Sequence, residues 1–321
     1  MSFRLRIGSR PSALALAQAH QVKAHLEAAL PGLAAEIVSV STSGDKLTTA
    51  SLARIGGKGL FIRELEQALS DRRIDLAVHS MKDLPAILPS EYRLAAIPPR
   101  EDPRDALITR ATGGWAALAP GARLGTSSTR RRLQALRRRP DLDVAPLRGN
   151  VDTRLSRLAH GDFDAIILAM AGLKRLGKLD GLNLLELDER EFVPSGGQGA
   201  LALEALTDGT LGGADEIEAA VAALNDSRSL AEATAERAFL ATIGASCVSP
   251  VGVKGHARDE SLLLRTLLFS SDGSQNLAEE ISLPLPIAAE RTELIRVATA
   301  IGAALGHRMI DRGARELIDH E

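Results

Sequence analysis

Aromatic residues are scarce in this sequence, which has one Trp, one Tyr and six Phe among 321 residues. Proteins that bind single-stranded nucleic acid stack its bases on aromatic side chains, so the composition argues against that class. Hydrophobic residues still make up 45% of the chain, as in an ordinary globular protein. The core therefore has to be built from Leu, Ile, Val and Ala.

Cysteine is scarcer still, since Cys247 is the only one. One cysteine cannot close an internal disulfide or build a multi-cysteine zinc site, so we expect no metal. No uncharged apolar run reaches the roughly 18 residues of a spanning helix, and residues 1–7 lack the apolar core of a signal peptide. We therefore expect a cytoplasmic protein with no membrane contact.

The charge is unevenly distributed along the chain. The net charge is −2, yet residues 123–157 contain ten Arg and three Asp, a local balance of +7. A basic stretch in a nearly neutral protein indicates a local anionic ligand rather than nucleic acid. Because no Walker or dinucleotide glycine fingerprint is present, a carboxylate ligand and a phosphate ligand both stay open.

Strand and helix patterns alternate over the first two-thirds of the chain, which predicts mostly parallel α/β sheets. The last hundred residues predict a small α+β domain with a hairpin turn at Asp272-Gly273. Strands are predicted at 3–8, 35–41, 74–78, 144–147, 165–170, 251–256 and 262–269, and helices at 13–30, 60–70, 130–138, 153–158, 230–243 and 288–317.

Arg and Ser residues recur where a predicted strand gives way to a predicted helix. Ligands of open α/β sheets bind at the carboxyl ends of strands, helix N-termini attract anions, and the Arg fork fits a carboxylate. We expect these residues to bind several carboxylates or phosphates, with solvated helix faces as the alternative. They are Arg10, Ser12, Ser128, Arg130, Arg131, Arg148, Arg154 and Arg175.

Two further positions are candidates for chemistry. Lys82 and Asp83 follow the strand predicted at 74–78, where an acid can stabilise a developing cation or carry protons, unless it belongs to a simple surface turn. We interpret the nearby His79 as structural. Cys247 lies in a predicted loop; a free Cys is often a small buried hydrophobe, but a thiolate there can carry a covalent intermediate.

Seven segments together resemble the porphobilinogen deaminase (hydroxymethylbilane synthase) family, in family order and over nearly the whole chain. A local departure lies before Cys247, where Ala245-Ser246 replaces the usual Gly-Gly. The matching segments lie at 56–61 (Gly-Gly-Lys-Gly-Leu-Phe), 79–85 (His-Ser-Met-Lys-Asp-Leu-Pro), 99–106, 125–131 (Gly-Thr-Ser-Ser-Thr-Arg-Arg), 147–151, 171–177 and 197–200.

The resemblance implies an α/β fold with two lobes like those of periplasmic binding proteins, mixed and mostly parallel in their sheets, plus a small α+β C-terminal domain. Domain 1 is expected at 1–99 with 198–222, domain 2 at 100–197 and domain 3 at 223–321.

The resemblance also implies the reaction. A dipyrromethane cofactor, thioether-linked to Cys247, would accept four porphobilinogen units head to tail, each with loss of ammonia, before hydrolysis releases hydroxymethylbilane for heme biosynthesis. The Arg and Ser set, assisted by Lys82, would bind the carboxylates of the substrate and the growing polypyrrole. Asp83 would offset the positive charge on the pyrroles; whether it also moves protons is left open. Residues 43–61 would form a lid, with Lys58 and Phe61 facing the cleft. We expect a monomer.

Two rival classes share the two-lobed architecture. An anion-binding solute-binding protein would not need the third domain with its cysteine. The effector half of a transcription regulator would need a helix-turn-helix segment, for which residues 1–8 leave no room. We therefore favour the enzyme.

Overall fold

The computed structural model of the chain describes residues 3–41, 62–246 and 249–318. These residues form two five-stranded sheets and one three-stranded sheet. None of their helices has the length and apolar character that a membrane span requires. The strands are β1 (Phe3–Ser9), β2 (Leu33–Ser39), β3 (Leu76–Ser80), β4 (Tyr92–Ala96), β5 (Asp105–Thr109), β6 (Arg123–Gly125), β7 (Asp143–Ala145), β8 (Ala165–Ala169), β9 (Asn183–Glu186), β10 (Leu201–Leu206), β11 (Val251–Arg258), β12 (Ser261–Phe269) and β13 (Asn276–Pro284). The α-helices are α1 (Ala13–Ala29), α2 (Arg63–Ser70), α3 (Thr129–Arg138), α4 (Val151–Ala159), α5 (Met170–Arg175), α6 (Asp215–Ala223), α7 (Ser227–Ile243), α8 (Arg291–Asp311) and α9 (Ala314–Ile318).

The two large sheets define two lobes of the same design. Lobe 1 has the strand order β2–β1–β3–β10–β4, and lobe 2 has β7–β6–β8–β5–β9. In lobe 1 only β10 runs against its neighbours, and in lobe 2 only β5 does. Four of the five strands in each sheet therefore share one direction, and the expected mixed, mostly parallel α/β class is confirmed.

The reversed strand in each lobe is the first one that the chain adds after passing from the other lobe. The chain leaves lobe 1 after β4 and enters lobe 2 with β5; it leaves lobe 2 after β9 and re-enters lobe 1 with β10. We call the segments 97–104 and 194–200 the two crossings. Residues near them are consequently held between the lobes.

The third domain packs α7 and α8 against the antiparallel sheet β11–β12–β13. The two helices approach closely because residue 302 on α8 is Gly, and a Cβ there would overlap the carbonyl oxygen of Ala235 on α7. The buried hydrophobic cluster of this domain extends to Met81 and Leu84 of lobe 1. The third domain thus supports the turn that carries Lys82 and Asp83.

One predicted element is wrong. The sequence pattern predicts a single helix at 288–317, whereas α8 ends at Asp311 and a short α9 begins at Ala314. Gly313 between them has φ +90°, a left-handed backbone that ends an α-helix at low cost only in Gly.

Candidate active site

The lobe 1 wall of the cleft is built at the carboxyl ends of β1 and β3. Ser12 caps α1, and its hydroxyl accepts from the Ala15 N–H at 3.3 Å, so the positive end of the helix dipole faces this edge. Arg10, Ser12 and Asp83 line a common cavity. The structure therefore brings together the lobe 1 residues predicted from the sequence.

Lys82 and Asp83 lie in the 3₁₀ turn Met81–Asp83 that directly follows β3, and their surroundings differ. Asp83 is exposed. The Lys82 ammonium is enclosed and donates to the Gln198 amide oxygen at 3.2 Å. Burial, assisted by the charge of Arg131, lowers the pKa of Lys82 to about 8, while Asp83 and Asp105 oppose that shift.

Arg130 and Arg131 in the first turn of α3 share a buried carboxylate that the sequence analysis did not include in the site. Asp105, at the start of β5, accepts from Arg130 at 2.8 Å and from Arg131 at 2.7 Å. Burial alone would raise the pKa of Asp105, but the two guanidinium groups hold it well below its usual range. The cluster of three therefore keeps a net positive charge, which suits a further anion.

Arg148 and Arg154 extend the positive surface of lobe 2. Arg154 lies in the first turn of α4 and donates to the Gly149 carbonyl oxygen at 2.8 Å. Burial, and then the charge of Arg131, lowers the pKa of Arg154 to about 10. Within the described residues Arg154 has no acidic partner within ion-pair distance. A bound anion would stabilise the neighbouring positive charges of Arg131 and Arg154.

Arg175 and Ser128 complete the lobe 2 set. Arg175 ends α5, and one terminal nitrogen donates to the Gly199 carbonyl oxygen at 2.7 Å. Its Nε is buried and has no hydrogen-bond partner in the described part of the chain. A buried donor without a partner is costly, so this guanidinium is suited to a ligand. Ser128 caps α3 and accepts from the Arg131 N–H at 3.3 Å.

Gln198, in the second crossing, links both lobes through one amide. Its nitrogen donates to the Pro103 carbonyl oxygen at 2.8 Å and to Asp105 at 2.9 Å, while its oxygen accepts from Lys82. Sequence reasoning used Gln198 only as part of a family segment. Its position, buried between two glycines at a crossing, is a structural feature that no local pattern predicts.

A second buried network joins both crossings to the third domain. Arg100 in the first crossing forms a 2.7 Å ion pair with Glu236 of α7. Glu236 also accepts from the Gly197 N–H of the second crossing at 2.6 Å and from the Gly255 N–H of β11 at 2.8 Å. One carboxylate thus ties both crossings to the helix that leads toward Cys247.

His79, interpreted from the sequence as structural, has a buried ionisable partner. Its Nε2 lies 2.8 Å from Glu204 Oε2, and the two side chains are 4% and 0% exposed. This bond crosses from β3 to β10, the strand that returns from lobe 2. Cys247, Lys58 and Phe61 lie outside the described residues, as does the lid segment 43–61.

The fold and the site define a two-lobed α/β protein with an arginine-rich lobe 2 wall and a Lys–Asp pair on lobe 1. The family model "Porphobilinogen deaminase, dipyromethane cofactor binding domain" matches residues 5–211. The model "Porphobilinogen deaminase, C-terminal domain" matches residues 230–310. The chain belongs to the porphobilinogen deaminase family.

Relatives from several bacteria carry the name porphobilinogen deaminase. The one from Syntrophobacter fumaroxidans is 44% identical, over 98% of this chain and 97% of its own. The one from Chromobacterium violaceum is also 44% identical, with the same coverage. The one from Sorangium cellulosum is 45% identical over 95% of this chain and 99% of its own. These matches confirm the resemblance and do not favour the solute-binding alternative.

Proposed function

We propose that this chain joins four porphobilinogen units head to tail and releases hydroxymethylbilane, as a transferase of tetrapyrrole biosynthesis. The observation that carries the proposal is the charge of the lobe 2 wall. Arg154 and Arg175 have no carboxylate within ion-pair distance in the described residues, and Arg130 and Arg131 share only one. Such a wall suits a ligand that gains carboxylates as it grows.

The described residues fit a dipyrromethane cofactor, since each of its pyrroles carries an acetate and a propionate. Arg130, Arg131, Arg148, Arg154 and Arg175, with Ser128, would hold these carboxylates. The partnerless Nε of Arg175 supplies one buried donor. When bound, the cofactor supplies the free pyrrole carbon to which the first substrate unit is joined. Cys247 would hold it through a thioether.

The lobe 1 residues would act on the incoming substrate. Arg10, Ser12 and Lys82 would bind its carboxylates. Asp83, exposed at the cavity, would accept hydrogen bonds from pyrrole N–H groups and stabilise the positive charge that develops when ammonia leaves. Lys58 and Phe61 would close the cleft from the lid.

The wider description of the molecule is also part of the proposal. Domain 1 would comprise 1–99 with 198–222, domain 2 100–197 and domain 3 223–321; the strand orders support this division, because β10 returns to the first sheet. We propose a cytoplasmic monomer that needs no metal, nucleic acid or membrane. A cysteine that has to remain a free thiol suits a reducing compartment.

Intact mass combined with a peptide map tests this proposal. The purified protein should carry a mass excess equal to two linked pyrroles on the peptide that contains Cys247. If the protein is isolated without it, added porphobilinogen should install it, and further substrate should add units stepwise. A chain that stays unmodified with excess porphobilinogen, and yields no tetrapyrrole, contradicts the proposal.

A further inference from the structure

His79, one member of the buried pair His79–Glu204, lines the same cavity as Asp83. His79 is the penultimate residue of β3, and the turn with Lys82 and Asp83 begins two residues later. His79, Asp83, Arg10 and Ser12 all line the cavity at the carboxyl ends of β1 and β3. His79 is therefore part of the wall at which the proposed substrate reacts, and the fully buried Glu204 supports it from behind.

The contact with Glu204 leaves one ring nitrogen of His79 to take up a proton. His79 Nε2 lies 2.8 Å from Glu204 Oε2, and a carboxylate there can accept the Nε2 proton. Nδ1 is then the nitrogen with the free lone pair. A carboxylate that holds an imidazole in this way also stabilises the imidazolium that forms when Nδ1 is protonated.

Charged groups on the neighbouring helices α2 and α7 bear on this pair. Burial raises the pKa of Glu66 on α2. The nearby Glu204 raises the pKa of Glu66 further, whereas His79 lowers it. Arg237 of α7 contacts the Met81 sulfur at 3.8 Å. Burial lowers the pKa of Arg237 to about 10, and Glu204 opposes this shift.

Arg10 and Asp83 face the pair from the cavity side. Glu204 keeps spare capacity to accept hydrogen bonds, because its Oε1 is buried with no partner among the described residues. A positive charge on His79 would lie 2.8 Å from one carboxylate, Glu204, and would share the cavity with another, Asp83, and with Arg10.

We propose that the His79–Glu204 pair is the acceptor for the proton that is released each time two pyrroles are joined. In that step the C–N bond to the ammonium group breaks, and its electron pair leaves with ammonia. A C–C bond forms, the α C–H bond breaks, and its electron pair returns to the ring. The proton passes to His79 Nδ1, directly or through a water in the cavity, and then leaves with ammonia or bulk water.

In this proposal two different groups stabilise charge and accept the proton: Asp83 does the first, and the His79–Glu204 pair does the second. Asp83 is exposed and stays an anion that stabilises the cationic pyrrole throughout the cycle. If Asp83 took the proton itself, it would lose that charge when the next cation forms. The buried pair accepts the proton without changing the charge of Asp83. The inference rests on the proposed function, and it makes His79 a participant rather than a structural residue.

The test compares His79→Gln with wild type, using holoenzyme in single-turnover chain extension followed by intact mass from pH 5.5 to about 9, where imidazole titrates. Gln can keep a hydrogen bond to Glu204 but cannot carry the proton. We expect the single-turnover rate constant at saturating porphobilinogen to fall by at least roughly 10²-fold, the half-saturating concentration to stay unchanged, and the loss of rate toward acid pH to disappear. An unaltered rate, or a lower rate with the wild-type pH profile, overturns the inference.

Two further variants keep the test decisive. Glu204→Gln retains size and hydrogen bonding; if His79→Gln does not fold, the same rate loss is expected here. His256→Gln is the control, since it removes a 2.7 Å His–Glu contact with Glu189 away from the cavity and should leave the profile as in wild type. Failure of the proposed function itself would show differently, as wild type that forms no tetrapyrrole.

Discussion

The two walls of the cleft are built on similar sheets, yet they carry different kinds of charge. The lobe 1 wall presents Lys82, whose pKa is lowered to about 8, beside the buried His79–Glu204 pair. The lobe 2 wall presents guanidinium groups, of which Arg130 and Arg131 are fixed on Asp105. Guanidinium stays charged throughout the physiological range. In the proposed function, chemistry and retention of the growing chain therefore fall to opposite lobes.

A division of roles between the two walls requires that the pyrrole chain be anchored between them, and Cys247→Ala tests this with the largest expected effect. Without the thiol no thioether can form, so the protein should carry no covalent pyrrole and yield no tetrapyrrole. Intact mass before and after incubation with porphobilinogen measures both. A variant that still shows the full mass excess would place the attachment elsewhere.

Asp83→Ala removes the exposed acid of the lobe 1 wall and should lower kcat by at least roughly 10²-fold, the low end for loss of one group that stabilises charge in the transition state. Cofactor assembly should suffer less than chain extension if lobe 2 does most of the retention. Stopped-time mass spectra separate the two stages. Asp83→Glu, which keeps the charge, is the matched variant and should recover part of the rate; near-normal turnover in the Ala variant would remove Asp83 from the mechanism.

Arg154→Leu removes one positive charge from the lobe 2 wall and leaves Lys82 of lobe 1 unchanged. Loss of one charge-assisted hydrogen bond costs about 1.5–3 kcal/mol, or roughly 10- to 150-fold in KM for extension. Arg148→Leu should act in the same direction. Arg137→Leu is the control, since Arg137 is exposed in the last turn of α3. Equal KM values in all three variants and wild type would count against the carboxylate-binding role.

Local signals in the sequence predicted the parts of the site that depend on one strand–helix junction. Ser12 and Ser128 were expected near helix starts, and both cap helices. Arg130 and Arg131 were expected in the first turn of the following helix. Strand ends and N-caps are set by residues a few positions apart, so a single sequence suffices for them.

Partners distant along the chain were not predictable in this way. Asp105 lies 25 positions before Arg130, and Glu204 lies 125 positions after His79. Asp105 lies on β5 and Glu204 on β10, and these are the reversed strands that follow the crossings. Only the strand order of the two sheets brings them to the cleft, and no periodicity or turn signal encodes that order.

The smallest expected effect is a pH dependence of KM, which distinguishes the contribution of Lys82 in lobe 1 from that of the arginines in lobe 2. The lowered pKa of Lys82 means that its charge is present below about pH 8 and is lost as the pH rises through that value. Since a neutral amine binds carboxylate less well, and the charged fraction of Lys82 falls about 10-fold between pH 7 and 9, KM should rise by about 10-fold at most over that range. Lys82→Arg stays charged over this range and should show a flat KM. Parallel profiles for Lys82→Arg and wild type would mean that the permanent charges of lobe 2 alone decide substrate affinity.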